Sequence, residues 1–476
     1  MRKTQRSYRA SCLRFIKEQI INVQLKNAIE SPCGLRNVLD RLDLQSGYAR
    51  RWLLDSPMMT VEGDIRASYD VLRRFGDFIE REDKTYIDTL QFRLQGLKDI
   101  RTTIKNLSQK STLDDIELFE VKHLAILATD VARLLQEHGM ENVVVIPALD
   151  EVISILDPDG MKIATFYVYD SYCAQLKDLR AAMRQHPEQQ DELLLQASEL
   201  EEGVRKDLSS QLRPFATAIE QAQVALAQID VYLAKAIQMR QLGLTFPAFA
   251  SDGITRYGEM FHPQVKEALA EHGKQFQPVD ISFGQQPTLI TGANMGGKTV
   301  VLKTLTLCQL LFQFGFGIPA ASAEIAVKDE IYFCIGDEQS VEKGLSSFAA
   351  EMKNIDAVIK ASRMNKKILA LIDEPARTTN PTEGAALVSA LIKVLAGKDM
   401  SLVMTTHYDI ESGEARCLRV KGFENGSMDY QLVEVQDGEV PQEALNIAQS
   451  LGIDSEWIDM AREQLQSSAS REKDKH

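Results

Sequence analysis

One eight-residue segment, Gly292-Ala293-Asn294-Met295-Gly296-Gly297-Lys298-Thr299, constrains this chain more than any other. It follows the β-branched run Thr288-Leu289-Ile290-Thr291 and opens onto the apolar positions Val300, Val301, Leu302 and Leu305. A strand that ends in a glycine loop and re-emerges as a helix commits this part of the chain to an α/β layer. In that setting G-x-x-x-x-G-K-[ST] is a phosphate cradle. Gly292, Gly296 and Gly297 let backbone N–H groups turn inward, and the helix N-terminus adds partial positive charge. Lys298 is placed to reach β- and γ-phosphates, and the Thr299 hydroxyl to ligate Mg²⁺, so the expected ligands are ATP and Mg²⁺.

Two further strands complete the expected site. Ile368-Leu369-Ala370-Leu371-Ile372 runs into Asp373-Glu374, 75 residues after Lys298. Asp373 at a strand's carboxyl end suits Mg²⁺, and Glu374 beside it suits a base that orients and deprotonates water. Ser401-Leu402-Val403-Met404-Thr405-Thr406 ends at His407, where a sensor of the γ-phosphate belongs.

The rest of the chain is helical in pattern. Apolar residues at Leu35, Val38, Leu39 and Leu42, and again at Ile219, Ala222, Leu226, Ile229, Leu233 and Ile237, recur three and four apart, the latter as one buried stripe. Residues 171–240 read as long helix with a break at Pro214. Between 143 and 170 the β-rich runs Val143–Ile146 and Ile163–Val168 flank the turn sequence Asp157-Pro158-Asp159-Gly160, and a β-hairpin is expected. The basic N-terminus (Arg2, Lys3, Arg6, Arg9, Arg14) reads as a basic first helix, and 467–476 as a frayed tail.

With 476 residues, about three domains fit: helical in pattern over 1–250, α/β over 251–440 and a C-terminal segment over 441–476. A net charge of −14 argues against coating nucleic acid through the overall field. Six dispersed cysteines without a C-x-x-C pair read as reduced thiols of a cytoplasmic protein. The longest apolar stretch, Leu305–Ala321, is broken by Gln309, Gln313 and Pro319 and is too polar to cross a membrane.

Taken together, the motifs resemble the MutS family. Thr291–Thr299 (TGANMGGKT) is similar to its TGPNMGGKS, and Asp373–Gly384 (DEPARTTNPTEG) to its DE-I-G-R-G-T-S-T-x-D-G, with Arg377, Thr379 and Gly384 in matching places. Thr405–Tyr408 resembles A-T-H-Y/F, and Lys343–Met352 the S-x-F-x-x-E-M signature segment. Weaker likeness runs through Leu35–Pro57, Ile229–Ala236 and Ala444–Ala461. The resemblance implies an α-helical core and lever over 1–250, followed by an α/β ABC-type P-loop ATPase domain over 251–440 and a helical dimerisation segment and tail over 441–476, working as a homodimer or as a heterodimer with a related subunit. It implies that Ser346 and Ser347 act on the nucleotide bound by the partner and that Asn294 contacts the γ-phosphate region. Ala293, Pro375 and Thr378 depart from the family pattern.

The family's mismatch-recognition and connector domains are expected to be absent. Gly76-Asp77-Phe78-Ile79-Glu80 imitates the mismatch wedge, but Val71, Phe75 and Phe78 share a helical face and read as core. Residues 139–215, where the resemblance places the DNA-gripping levers, carry seven Lys and Arg against fourteen Asp and Glu. Phosphate contacts depend on the former. The expected client is DNA, held in a clamp; the alternative is a protein client, as in reactivation of an adenosylcobalamin-dependent aminomutase. A scaffold that binds ATP without turnover ranks below both, because Lys298, Thr299, Asp373, Glu374 and His407 are all present.

Overall fold

The computed structural model describes residues 24–163, 165–185, 189–292, 297–335, 347–364, 366–408, 410, 413–424, 427–435, 445, 448–449 and 452–473. The chain forms two compact units. One comprises Met1–Arg41, Pro57–Tyr69 and Met239–His476; the other comprises Leu42–Ser56 and Asp70–Gln238. Residues 57–69 thus belong with the nucleotide-motif segment, not with the helices that follow them. The basic N-terminal residues 2–14 lie outside the described residues.

The first unit carries all ten strands found among the described residues. They are β1 (Ala248–Phe249), β2 (Thr255–Met260), β3 (Val279–Phe283), β4 (Thr288–Thr291), β5 (Ser322–Ile325), β6 (Glu330–Cys334), β7 (Ile368–Ile372), β8 (Met400–Thr405), β9 (Arg416–Glu424) and β10 (Ser427–Glu434). The larger sheet has the order β10-β9-β4-β8-β7-β6. From β9 to β6 its strands are parallel, and β10 runs antiparallel at the edge. Every residue of β7 and β8 is buried, as in a parallel sheet covered on both faces; β7 is wholly apolar, and β8 carries Ser401 and Thr405 among apolar residues. Ile355 and Val358 from helix Ser347–Ala361, and Val388, Leu391 and Leu395 from helix Pro381–Leu395, pack in one core with Leu289, Ile372 and Met404 of the strands. The smaller sheet, β1-β5-β2-β3, is mixed.

Helix Lys298–Gln313 follows β4 in the chain and is buried nearly all round, its polar side chains included. The glutamines that interrupt the apolar stretch are buried and bonded. Gln309 donates to the Ala326 carbonyl at 3.1 Å, and Gln313 to those of Met59 and Lys328 at 2.8 and 2.7 Å. Among the described residues no helix is long and apolar enough to cross a membrane.

The second unit is helical. Phe75 and Phe78 are buried as expected, while Glu80 is exposed, so the imitation wedge is core packing. Helix Ala216–Leu242 buries more than one stripe: Ala225, Ala227, Val231, Ala234 and Ala236 are buried beside Ile219, Ala222, Leu226, Ile229 and Leu233. Small side chains on its other faces let neighbours close round it.

The expected hairpin does not form. Among the described residues between 143 and 170 there is no strand; helix Asp150–Leu156 occupies the middle of the segment. The Asp157–Gly160 turn is present, with the Gly160 N–H donating to the Asp157 carbonyl at 2.9 Å. The cause lies at Lys122, fully buried in helix Asp115–Glu137. Its ammonium donates to Asp157 and to the Tyr169 hydroxyl, both at 3.0 Å, and Asp157 also accepts the Lys162 N–H at 2.8 Å. A buried charge needs such partners more than the segment needs a ladder. At the other end, helix Ser455–Lys473 extends the helical state through most of the expected tail.

A second long-range tie involves Asp230. Its carboxylate accepts the N–H groups of Gln45 and Ser46 at 3.0 and 2.9 Å and the Ser46 hydroxyl at 2.9 Å. Ser46 in turn caps helix Gly47–Asp55 by accepting the Ala49 N–H at 3.1 Å. Burial pushes the Asp230 carboxyl up to about 6, against the hydrogen bonds that favour its charged form. The folded state therefore holds this proton more tightly than the unfolded chain. The group contributes stability below about pH 4 that is lost as pH rises through about 6.

Asp230→Ala is expected to orphan three donors, the buried Ser46 N–H and hydroxyl and the half-buried Gln45 N–H, and destabilise the protein by about 3 kcal/mol, read as a lower urea midpoint. The same variant should show a shallower fall in stability between about pH 4 and pH 6 than the native chain. An unchanged midpoint would mean that the tie contributes nothing.

Candidate functional site

The site lies at the carboxyl ends of β4, β7 and β8. Gly297, with φ of 75°, is the N-cap of helix Lys298–Gln313 and turns the chain from the loop into the helix in a conformation that favours glycine. Lys298 is its first residue and is 4% exposed. Its ammonium donates to the Gly292 carbonyl at 2.7 Å and lies 3.3 Å from Glu374.

Asp373 extends β7, with its N–H donating to the Cys334 carbonyl at 2.8 Å. Both carboxylate oxygens are engaged. Thr299 donates its hydroxyl to one at 2.8 Å, and Thr405, the last residue of β8, donates to the other at 2.6 Å. The Thr405 hydroxyl also accepts the Glu374 N–H at 2.9 Å. Because β8 lies between β4 and β7, one threonine joins the two carboxylate residues to the sheet's centre. Glu374 sits between two cations, Lys298 and Arg377, the latter at 3.5 Å. Thr299 and Asp373 place two hard oxygen groups side by side, of the kind that could hold Mg²⁺.

The turn after Asp373 is unusual. Glu374 and Ala376 both have positive φ, 43° and 62°, on either side of Pro375. Such conformations cost non-glycine residues of order 1–3 kcal/mol each and persist where surrounding contacts hold them. Here the Ala376 N–H donates to Glu351 at 2.9 Å, and its carbonyl accepts from the Tyr408 hydroxyl at 2.7 Å. Burial raises the Glu351 carboxyl above the usual range, opposed by the Ala376 N–H and Arg377. Gly384 makes space for Tyr408: a Cβ there would stand 2.3 Å from the tyrosine oxygen.

Lys298, Thr299, Asp373 and Glu374 are thus brought together, and Gly292 and Gly297 frame them. His407 follows β8 directly; it is exposed, with its ring 4.2 Å from that of Tyr408. Asn294, Gly296 and Ser346 lie outside the described residues, and Ser347 opens helix Ser347–Ala361. Sequence reasoning assigned no role to Thr405, Glu351 or Tyr408. Thr405 and Tyr408 fall in the run that resembles A-T-H-Y/F and Glu351 in the signature-like segment, but the strained turn that they hold is invisible in the sequence.

Residues 288–467 match the family model of MutS domain V. The chain is 29% identical over 408 residues to a Caldicellulosiruptor bescii protein named endonuclease MutS2, covering 81% of this chain and 48% of that one. It is 34% identical over 283 residues to a Finegoldia magna protein of the same name, covering 57% and 35%. A Ligilactobacillus salivarius protein, also so named, is 34% identical over 286 residues, covering 56% and 34%. The chain spans about half the length or less of these relatives.

Lys298→Ala removes the cation that bridges Gly292 and Glu374, and nucleotide affinity measured by calorimetry is expected to fall at least about tenfold. Equal affinity in the variant would separate this lysine from phosphate binding. Gly384→Ala forces Tyr408 out of its seat and should lower Tm by several degrees, for a loss of about 1–3 kcal/mol.

Proposed function

From the premise that this chain belongs to the MutS family, we propose that it is a dimeric ABC-type ATPase that couples ATP binding and hydrolysis to its grip on DNA. The observation that carries the hydrolytic reading is the linked set Lys298, Thr299, Asp373 and Glu374. The ABC-type reading draws support from the strand order, in which β8 separates the phosphate-loop strand from the Asp373 strand.

In this reading Lys298 exchanges its contacts with Gly292 and Glu374 for the β- and γ-phosphates. Glu374, released from the lysine, orients and deprotonates the attacking water. Thr299 and Asp373 would hold Mg²⁺, which neutralises phosphate charge when bound. His407 faces the γ-phosphate as its sensor, and Ser346 and Ser347 of one subunit complete the site of the other. ATP shifts the dimer between two states only through contacts that differ between them, and the γ-phosphate supplies these.

DNA is the favoured client because the relatives carry an endonuclease name, and an endonuclease acts on nucleic acid. The nuclease activity in that name stays with those proteins. The acidic balance of 139–215 requires a grip through few, well-placed basic side chains rather than through a broad field.

Anisotropy of matched, mismatched and branched duplexes, with ADP and with a non-hydrolysable ATP analogue, tests the client. Nucleotide-dependent binding with a linear log–log salt slope is expected. An active ATPase that binds no duplex at physiological salt would exclude DNA and leave the protein client. Glu374→Gln should retain ATP, lose roughly a hundredfold or more in turnover, and accumulate as a dimer in light scattering. A monomeric ATP complex would contradict the dimeric reading.

A further inference from the structure

The turn that carries Glu374 is gripped from helix Ser347–Ala361, through Glu351, a residue to which the sequence attaches no role. Three backbone N–H positions follow Asp373. That of Glu374 goes to the Thr405 hydroxyl, Pro375 has none, and that of Ala376 goes to the Glu351 carboxylate. The Ala376 carbonyl is held from the other side by the Tyr408 hydroxyl at 2.7 Å and by the Thr379 N–H at 3.2 Å. Ala376 is buried, so its peptide has no water to fall back on. Its φ of 62° and that of Glu374, 43°, would relax if either grip were removed.

Resting on the ATPase reading above, we propose that Glu351 is a positioning residue for hydrolysis: it holds the Ala376 peptide against Tyr408, and so keeps the Glu374 carboxylate aimed between Lys298 and Arg377. Glu351 stands one turn into helix Ser347–Ala361, whose first residue belongs to the serine segment. The start of that helix and the carboxylate that activates water are therefore joined through a single side chain and a single peptide. A displacement at the serine end reaches Glu374 through Glu351, with no contact to the nucleotide needed.

The test uses the full chain and three variants, Glu351→Ala, Glu351→Gln and Tyr408→Phe, each first shown by circular dichroism to be folded. Glu351→Ala is expected to lower kcat about tenfold or more while the KM and Kd for ATP stay within about twofold, because only the base is misplaced. Glu351→Gln retains an oxygen that accepts the Ala376 N–H and should restore kcat to within about threefold of native. Tyr408→Phe removes the opposite grip and should also lower kcat without changing Kd. In a Glu374→Gln background, Glu351→Ala should cost nothing further, since it acts through Glu374. The proposal is overturned by a native kcat in Glu351→Ala, by equal damage in Glu351→Gln, or by an undiminished further loss in the Glu374→Gln background. Hydrogen exchange of a peptide spanning 373–378 supplies a readout independent of turnover. Faster exchange in Glu351→Ala is expected, and unchanged exchange overturns the clamp. A native chain whose ATPase rate equals that of Lys298→Ala defeats the ATPase reading instead, and the exchange result then decides the clamp alone.

Discussion

The Asp373 carboxylate takes a hydroxyl hydrogen bond on each oxygen, from Thr299 and from Thr405, and the nucleotide unit is arranged around that double engagement. One donor starts the helix after β4, the acceptor ends β7, and the other donor ends β8. Three chain segments from distant parts of the sequence therefore meet within two hydrogen bonds. Both donors are neutral hydroxyls, so no fixed cation occupies the carboxylate through these two bonds.

Rigidity at this point has a counterpart in strain beside it. The parallel sheet ends in fully buried strands that cannot yield, while the Glu374–Ala376 turn adopts backbone angles that only its surroundings enforce. The side chains that enforce them, Glu351, Thr405 and Tyr408, come from one helix and from the end of β8. A turn of this kind answers to the elements that grip it, as a component of a switch must.

The helical unit uses buried polar ties to the same structural end. Asp230 gathers the start of helix Gly47–Asp55 from 184 residues away, and Lys122 gathers Asp157 and Tyr169. Helices that are apolar on broad faces can slide without much loss of area. A charge that must find its partners permits one register only.

The strand Thr288–Thr291, the helix that opens at Lys298 and the strand Ile368–Ile372 that runs into Asp373-Glu374 were legible because each is local: a run of residues whose own composition decides its conformation. The burial of Phe75 and Phe78 was legible for the same reason, through helical spacing. The absent hairpin was not, because local β-propensity at 143–168 gave way to a buried lysine in another helix. So the sequence by itself determined the α/β character of the motif-bearing segment and the helical character of the remainder. Only the tertiary structure decided which hydroxyl, carboxylate and phenol hold the Glu374–Ala376 turn, since those partners are joined by desolvated hydrogen bonds between segments that no spacing rule connects.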